Sequence, residues 1–140
     1  MKELVTEIQI NASPAKVWEV FAANEQWAVW NPFITKSLGP LIVGQKIANT
    51  LELMGQKPMT IKPTVLKADA AKELRWLGRL LLPGIFDGEH YFKLEASGEG
   101  TRFVQGEIFK GILIGVVNMD DVKKGFEALN EALKKRVESV

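Results

Sequence analysis

From residue 3 to residue 10 apolar and polar positions alternate, with Leu4, Thr6, Ile8 and Ile10 on one side and Val5, Glu7 and Gln9 on the other. That period of two predicts a half-buried strand. Asn11-Ala12 ends it, and Ser13-Pro14 signals a helix start: a side-chain oxygen to cap free N–H groups, then a ring already holding helical φ. Val17, Val20 and Phe21 give this helix an apolar stripe, with Trp18 beside it. It ends before Asn24, and residues 25–30 leave room for a short second helix. Asn31-Pro32 stops helical structure, because a residue preceding proline is pushed out of the α region.

From about residue 35 to residue 110 the pattern is one of strands and turns. Ile47, Asn49, Leu51 and Leu53 alternate with more polar neighbours, and Gly55-Gln56-Lys57-Pro58 has the composition of a hairpin turn. Residues 59–67 extend again, although Pro63 cannot donate to a ladder and implies an edge or a bulge. After a turn at 68–72, Leu74, Trp76, Gly78 and Leu80 alternate with Glu73, Arg75, Leu77 and Arg79. Leu82-Pro83-Gly84 breaks the chain before a last pair of strands, 86–95 and 101–110, joined around Ser97-Gly98-Glu99-Gly100. The C-terminal segment switches period: Val122, Phe126, Leu129, Leu133 and Val137 recur at helical spacing among lysines and glutamates. Asn118 is its candidate N-cap, with Asp120 and Asp121 suited to the positive helix end; a start near Ile112 with a kink at Asn118 is the alternative.

The order is therefore one strand, one or two short helices, six further strands and a long helix, which describes an α+β domain. Short connections make the sheet antiparallel. One such sheet has a single apolar face and one long helix to cover it. A curved sheet meets a helix closely at some points and stands off at others, so the gap is either filled by large side chains or used.

Composition narrows the chemistry. The chain has 140 residues, allowing one domain, 1–140, and 46% are hydrophobic, which excludes a disordered segment. Eighteen Lys+Arg against 17 Asp+Glu exclude a strongly basic nucleic-acid binder. Without cysteine there is no disulfide or thiolate nucleophile, and His90 as the only histidine leaves no zinc site of the usual kinds. The first ten residues resemble neither a signal peptide nor a membrane span. The expectation is a cytoplasmic protein without metal or cofactor, monomeric or homodimeric, with no nucleic-acid partner and no integral membrane segment.

The aromatic residues then become informative. Trp27, Trp30 and Phe33 cluster before the first long hairpin, while Trp76, Phe86, Phe92, Phe103, Phe109 and Phe126 are spread over sheet and helix. Gly125, on or near the apolar face of the last helix, either permits close packing or leaves space, at a cost of about 1 kcal/mol relative to alanine. In the last hairpin a two-residue loop at Gly98-Glu99 opposes Leu94 to Phe103, Phe92 to Gln105 and His90 to Glu107; a four-residue loop keeps that register and an odd-numbered loop breaks it. The six side chains share one face, so His90 and Glu107 point inward at hydrogen-bonding separation. Three roles stay open for the pair: mutual satisfaction of buried polar groups, recognition of a ligand hydroxyl or carbonyl, and acid–base catalysis. No second acid, nucleophile or metal set accompanies them. Asn49 interrupts an inward apolar stripe and is either a ligand contact or a satisfied core amide.

The whole chain resembles the START-like, or SRPBCC, superfamily, and within it the polyketide cyclase/dehydrase-like group with a helix-grip fold. The resemblance is carried by Ser13-Pro14-Ala15-Lys16-Val17-Trp18, Trp30-Asn31-Pro32-Phe33, Glu73-Leu74-Arg75-Trp76-Leu77-Gly78 and Gly88-Glu89-His90-Tyr91-Phe92. It continues through Gly100-Thr101-Arg102, Glu107-Ile108-Phe109-Lys110-Gly111 and Gly125-Phe126-Glu127-Ala128-Leu129-Asn130. It implies a curved antiparallel sheet of about seven strands around the C-terminal helix. It also implies a cavity for a hydrophobic or aromatic small molecule, lipid- or polyketide-like. The candidate ligand contacts are Trp27, Trp30, Phe33, Asn49, Trp76, Phe86, His90, Phe92, Phe103, Gln105, Glu107, Phe109 and Phe126. Two rivals remain: a cyclase/dehydrase-type enzyme using His90 and Glu107, and an interaction module like the chaperone activators of the superfamily.

Overall fold

The computed structural model describes residues 1–53, 56–80, 84, 86–112, 114–116 and 118–140, without the side chains of Leu80, Phe86 and Val116. The predicted turn at Gly55 and the break at Leu82-Pro83 fall partly outside these residues.

Strand β1 (Lys2–Ile10) leads into Ser13, whose extended backbone and hydroxyl, accepting from the Lys16 N–H at 3.2 Å, start α1 (Pro14–Phe21). The second helical segment is a 3-10 turn at Asn24–Gln26 followed by α2 (Trp27–Trp30). Asn31 turns the chain out of it: its backbone is extended, and its Oδ1 accepts from the N–H groups of Phe33 (3.0 Å) and Ile34 (2.9 Å). That side-chain turn delivers Phe33 to the interior and opens β2 (Ile34–Leu38).

Beyond it, β2, β3 (Ala48–Leu51) and β4 (Met59–Ile61) form one antiparallel sheet. The other has five strands in the order β1-β8-β7-β6-β5, with β5 at Thr64–Asp69, β6 at Glu73–Leu80, β7 at Phe86–Ser97 and β8 at Gly100–Lys110. About seven strands were expected in a single sheet; among the described residues there are eight, in two. Pro63 is the physical reason. Lacking an N–H, it interrupts the extended 59–67 run and divides it into β4 and β5. The two sheets remain stitched by a Lys46–Thr64 bridge and by the Ile47 N–H donating to the Pro63 carbonyl at 3.0 Å.

The longest strands, β7 and β8, turn through Gly98-Glu99, where Gly98 takes the positive φ (+61°) that a tight hairpin demands. The predicted register holds: Leu94 faces Phe103, Phe92 faces Gln105 and His90 faces Glu107. Asn118 caps α3 (Met119–Ser139), its side chain accepting from the Asp120 and Asp121 N–H groups. Val122, Phe126, Leu129, Leu133 and Val137 bury the predicted stripe, each contributing about 1.5–3 kcal/mol of apolar transfer. The backbone of α3 lies closest to β1, with α1, β8 and α2 also near it. Large side chains span the distance to the remaining strands. Gly125 serves close packing: a Cβ there would sit 2.6 Å from Phe33 Cδ1, so only glycine lets that ring lie on the helix.

Candidate functional site

The aromatic residues of β6, β7, β8 and the first helices converge. Phe92 has Phe21 at 4.8 Å, Trp76 at 5.2 Å and Phe103 at 6.0 Å between ring centroids. Trp27 packs between Phe21 (5.4 Å) and Trp76 (6.1 Å), and its indole N–H donates to the Phe21 carbonyl at 2.8 Å. Trp27, Phe92 and Phe103 are completely buried and touch other rings, forming a solid floor. Phe33 stands edge-on to Phe126 at 5.5 Å, Phe109 is buried in strand register with Gly88, and Trp30 is half-buried. The side chain of Phe86 lies outside the described residues.

His90 joins this aromatic wall. Its ring stacks on Phe92 at 4.5 Å with a 19° interplanar angle and lies 4.8 Å from Phe126. Both ring nitrogens are engaged: Nε2 with Gln105 Oε1 at 2.9 Å and Nδ1 with Glu107 Oε1 at 3.1 Å. The Gln105 amide donates to the Phe126 carbonyl (3.1 Å) and to Asn130 Oδ1 (2.8 Å). Asn130 donates to Thr6 Oγ1 at 2.9 Å, and that hydroxyl donates to the Gln105 carbonyl at 3.0 Å. One chain of bonds thus ties β7, β8, β1 and α3 together.

The two backbone carbonyls, which only accept, fix the direction of every bond in the chain. Thr6 must donate to one of them, so it accepts from Asn130, whose oxygen then accepts from Gln105. The Gln105 oxygen is left to accept, and His90 Nε2 must carry the hydrogen. At Nδ1 a bare lone pair would face a carboxylate oxygen, which is repulsive, so one proton lies in the 3.1 Å contact with Glu107. The carboxylate has room because residue 88 is glycine: a Cβ there would come 2.2 Å from Glu107 Oε2. Oε2 therefore lies over the inner face of β7, makes no hydrogen bond among the described residues, and belongs to a side chain that is 16% exposed.

Asn49 is the outlier. On β3 its face is shared with Ile47 and Leu51, and it sits opposite Ser37 and Ile61. It is fully buried, yet neither its Nδ2 nor its Oδ1 has a partner among the described residues. The indole N–H of Trp30, Asn31 Nδ2 and Asp87 Oδ1 are likewise buried without a hydrogen bond among the described residues, Asp87 lying 3.6 Å from Arg79 Nε. Ser37, by contrast, is satisfied by the Asn24 amide at 2.9 Å.

Charge is kept on the outer face. Arg75 binds Glu73 and Glu89 there and lies 4.8 Å from the centroid of the Tyr91 ring, with Lys93 at 5.1 Å. Burial opposes ionisation of Glu73, but Arg75 and Lys67 outweigh it and hold the carboxyl below its ordinary range. Burial, then the hydrogen bond to Glu3 (2.7 Å), pushes the Tyr91 phenol up to about 12. None of the lysines and arginines is buried. Among the described residues no group of three or more His, Asp or Glu is placed to hold a metal ion, and no helix is long and apolar enough to cross a membrane.

Sequence reasoning found His90, Gln105 and Glu107 through the hairpin register, and Asn49 through its break in the stripe. It missed Asn130, Thr6 and Gly88 as parts of the same site. Asn130 stands four residues after Phe126, on the buried stripe of α3, and that spacing was the available signal.

A long C-terminal helix held by a curved antiparallel β-structure, with short helices after the first strand, defines the helix-grip class of START-like proteins. Over residues 1–138 the chain matches the family described as Polyketide cyclase / dehydrase and lipid transport, and it belongs to that family. Solved structures share the fold at low identity. Ginseng major latex-like protein 151 from Panax ginseng superposes with a TM-score of 0.80 at 12% identity, over 96% of each chain. Protein MLL2253 from Mesorhizobium loti gives 0.77 at 17% identity, covering 99% of this chain and 98% of its own. The protein TTHA0849 from Thermus thermophilus gives 0.75 at 19%, covering 99% and 98%. No curated protein matches the sequence closely enough to count as a relative.

Proposed function

We propose that the protein binds a hydrophobic small molecule, lipid- or polyketide-like, between α3 and the inner faces of the two sheets, in the cytoplasm. Asn49 carries this reading. An amide buried without partners costs about 1–3 kcal/mol, and in a fold that satisfies Gln105, Asn130, Thr6 and Ser37 such a residue belongs where a partner arrives. From Ile47 along β3 burial falls from Asn49 to half-buried Leu51, and Leu53 beyond it also packs half-buried on the core. Trp30, Phe33, Trp76, Phe109 and Phe126 supply apolar wall, Trp27, Phe92 and Phe103 its floor, and Asn49, His90 and Glu107 the few polar groups such a site needs.

Native mass spectrometry of freshly purified protein, followed by titration of tryptophan emission with uncharged lipids and aromatic fluorophores, tests the proposal. Saturable binding, weakened at least about tenfold by Asn49→Leu, is expected, tenfold corresponding to about 1.4 kcal/mol. Absence of saturable binding, or binding indifferent to both Asn49→Leu and Trp76→Ala, overturns it. Catalysis by the pair is the weaker reading, because His90 has neither ring nitrogen free to take a substrate proton.

A further inference from the structure

We infer that the bound molecule is neutral and presents a hydroxyl, as a phenol or a fatty alcohol does, and that the site discriminates against the matching carboxylate. This rests on the binding reading above and adds the chemistry of the ligand's polar end. Three observations converge on it. First, the interior holds no buried cation to receive an anion: no lysine or arginine is buried, and of the half-buried ones Arg75, Lys93 and Lys134 are occupied by Glu73 and Glu89, by the Tyr91 ring, and by Glu138 with the Gln9 carbonyl, while Arg136 stands in the last turn of α3. The residues outside the described part, Met54, Gly55, Leu81, Leu82, Pro83, Ile85, Leu113 and Val117, have no ionisable side chain by sequence.

Second, the imidazole cannot act as that cation toward a ligand. Its Nε2 hydrogen is committed to Gln105, and the proton on the Nδ1 side is committed to Glu107. An entering carboxylate would lose its hydration with no compensating charge, and it would face the oxygens of Glu107.

Third, the unpaired polar atoms of Glu107 and Asn49 suit a neutral group. Glu107 Oε2, held over Gly88 on the inner face in a side chain that is 16% exposed, has no donor among the described residues, and a ligand O–H supplies one. Asn49 offers the two N–H donors of its amide nitrogen and its carbonyl acceptor, none of them charged.

The test compares naphthol, methoxynaphthalene and naphthoate at neutral pH, three probes of nearly equal shape, by quenching of tryptophan emission in the wild-type protein and in Glu107→Gln. Dodecanol and dodecanoate form a second pair, so the wild-type result stands even if the variant folds poorly. We expect naphthol to bind at least about tenfold more tightly than naphthoate, since an unpaired charge is costlier to bury than a hydroxyl. Naphthol should also exceed methoxynaphthalene, and Glu107→Gln should reduce that second preference. Naphthoate or dodecanoate binding as tightly as its neutral partner overturns the inference and leaves the binding reading intact. Equal affinity for naphthol and methoxynaphthalene in the wild type removes Glu107 as the acceptor and overturns the inference in the same way. Saturation by none of the five probes counts against the binding reading itself.

Discussion

Asn49→Leu should make the ligand-free protein more stable. The side chain is fully buried with two polar atoms that have no partner among the described residues, so the unfolded chain, in which water satisfies both, is favoured by their desolvation. Leucine removes that penalty, about 1–3 kcal/mol, and adds apolar burial of about 1 kcal/mol, while the change of shape costs up to about 1 kcal/mol. The net expectation is a gain of about 2 kcal/mol. For a chain of this length each kcal/mol moves Tm by about 3–4 °C, so the melting temperature should rise by about 6–8 °C. Thermal melts and urea titrations of protein shown to be ligand-free would measure it, with the denaturant m value unchanged. A fall in Tm would mean that the amide has partners in solution, such as an ordered water, and would refute its reservation for a ligand. A gain in stability coupled to a loss of affinity is the outcome expected of a site residue that the fold tolerates rather than uses.

Other consequences can be measured directly. Gly125→Ala should destabilise the protein by about 1 kcal/mol net, because overpacking against Phe33 outweighs the better helix propensity of alanine; adding Phe33→Leu should recover most of it, and a rise in Tm for the single variant would contradict the packing described. Asn130→Leu should cost about 2–4 kcal/mol by stranding Gln105 and Thr6, and the double variant with Gln105→Leu should lose less than the sum, which a double-mutant cycle in urea would show. Tyr91 is the only tyrosine, so phenolate absorbance reports it alone; it should titrate near 12 and fall toward its ordinary value in Glu3→Gln. Because its folded value lies above an unfolded value of about 10, the unfolded chain releases the proton first, so this contribution to stability is complete below about pH 10 and declines as the pH rises toward 12.

Much of the fold is legible in the sequence, for definite reasons. A two-residue turn fixes register, so Gly98-Glu99 alone places His90 opposite Glu107. Ser13-Pro14 and Asn118 locate two helix starts, because caps are local chemistry. The division into two sheets is only half-visible: Pro63 announces a break in pairing, but pattern alone does not say whether a break is a bulge or a change of sheet. The aromatic residues are legible as inward-facing, and not as floor or wall, since that distinction depends on which rings meet. Likewise the purpose of Gly125 and Gly88 lies in Phe33 and Glu107, residues distant in sequence.

The antiparallel pairing of β1 with β8 brings Lys2 opposite Phe109 and Ile10 opposite Thr101, and it sets the order of events during synthesis. The first strand emerges from the ribosome roughly a hundred residues before its neighbour, with Ile10 and Thr6 uncovered and its backbone groups unpaired throughout. At about 5–20 residues per second that wait lasts on the order of five to twenty seconds, long compared with the microsecond closure of a hairpin such as β7–β8. Between the synthesis of β1 and that of β8 this strand edge therefore stays open, and of the described strands β1 waits longest for its partner.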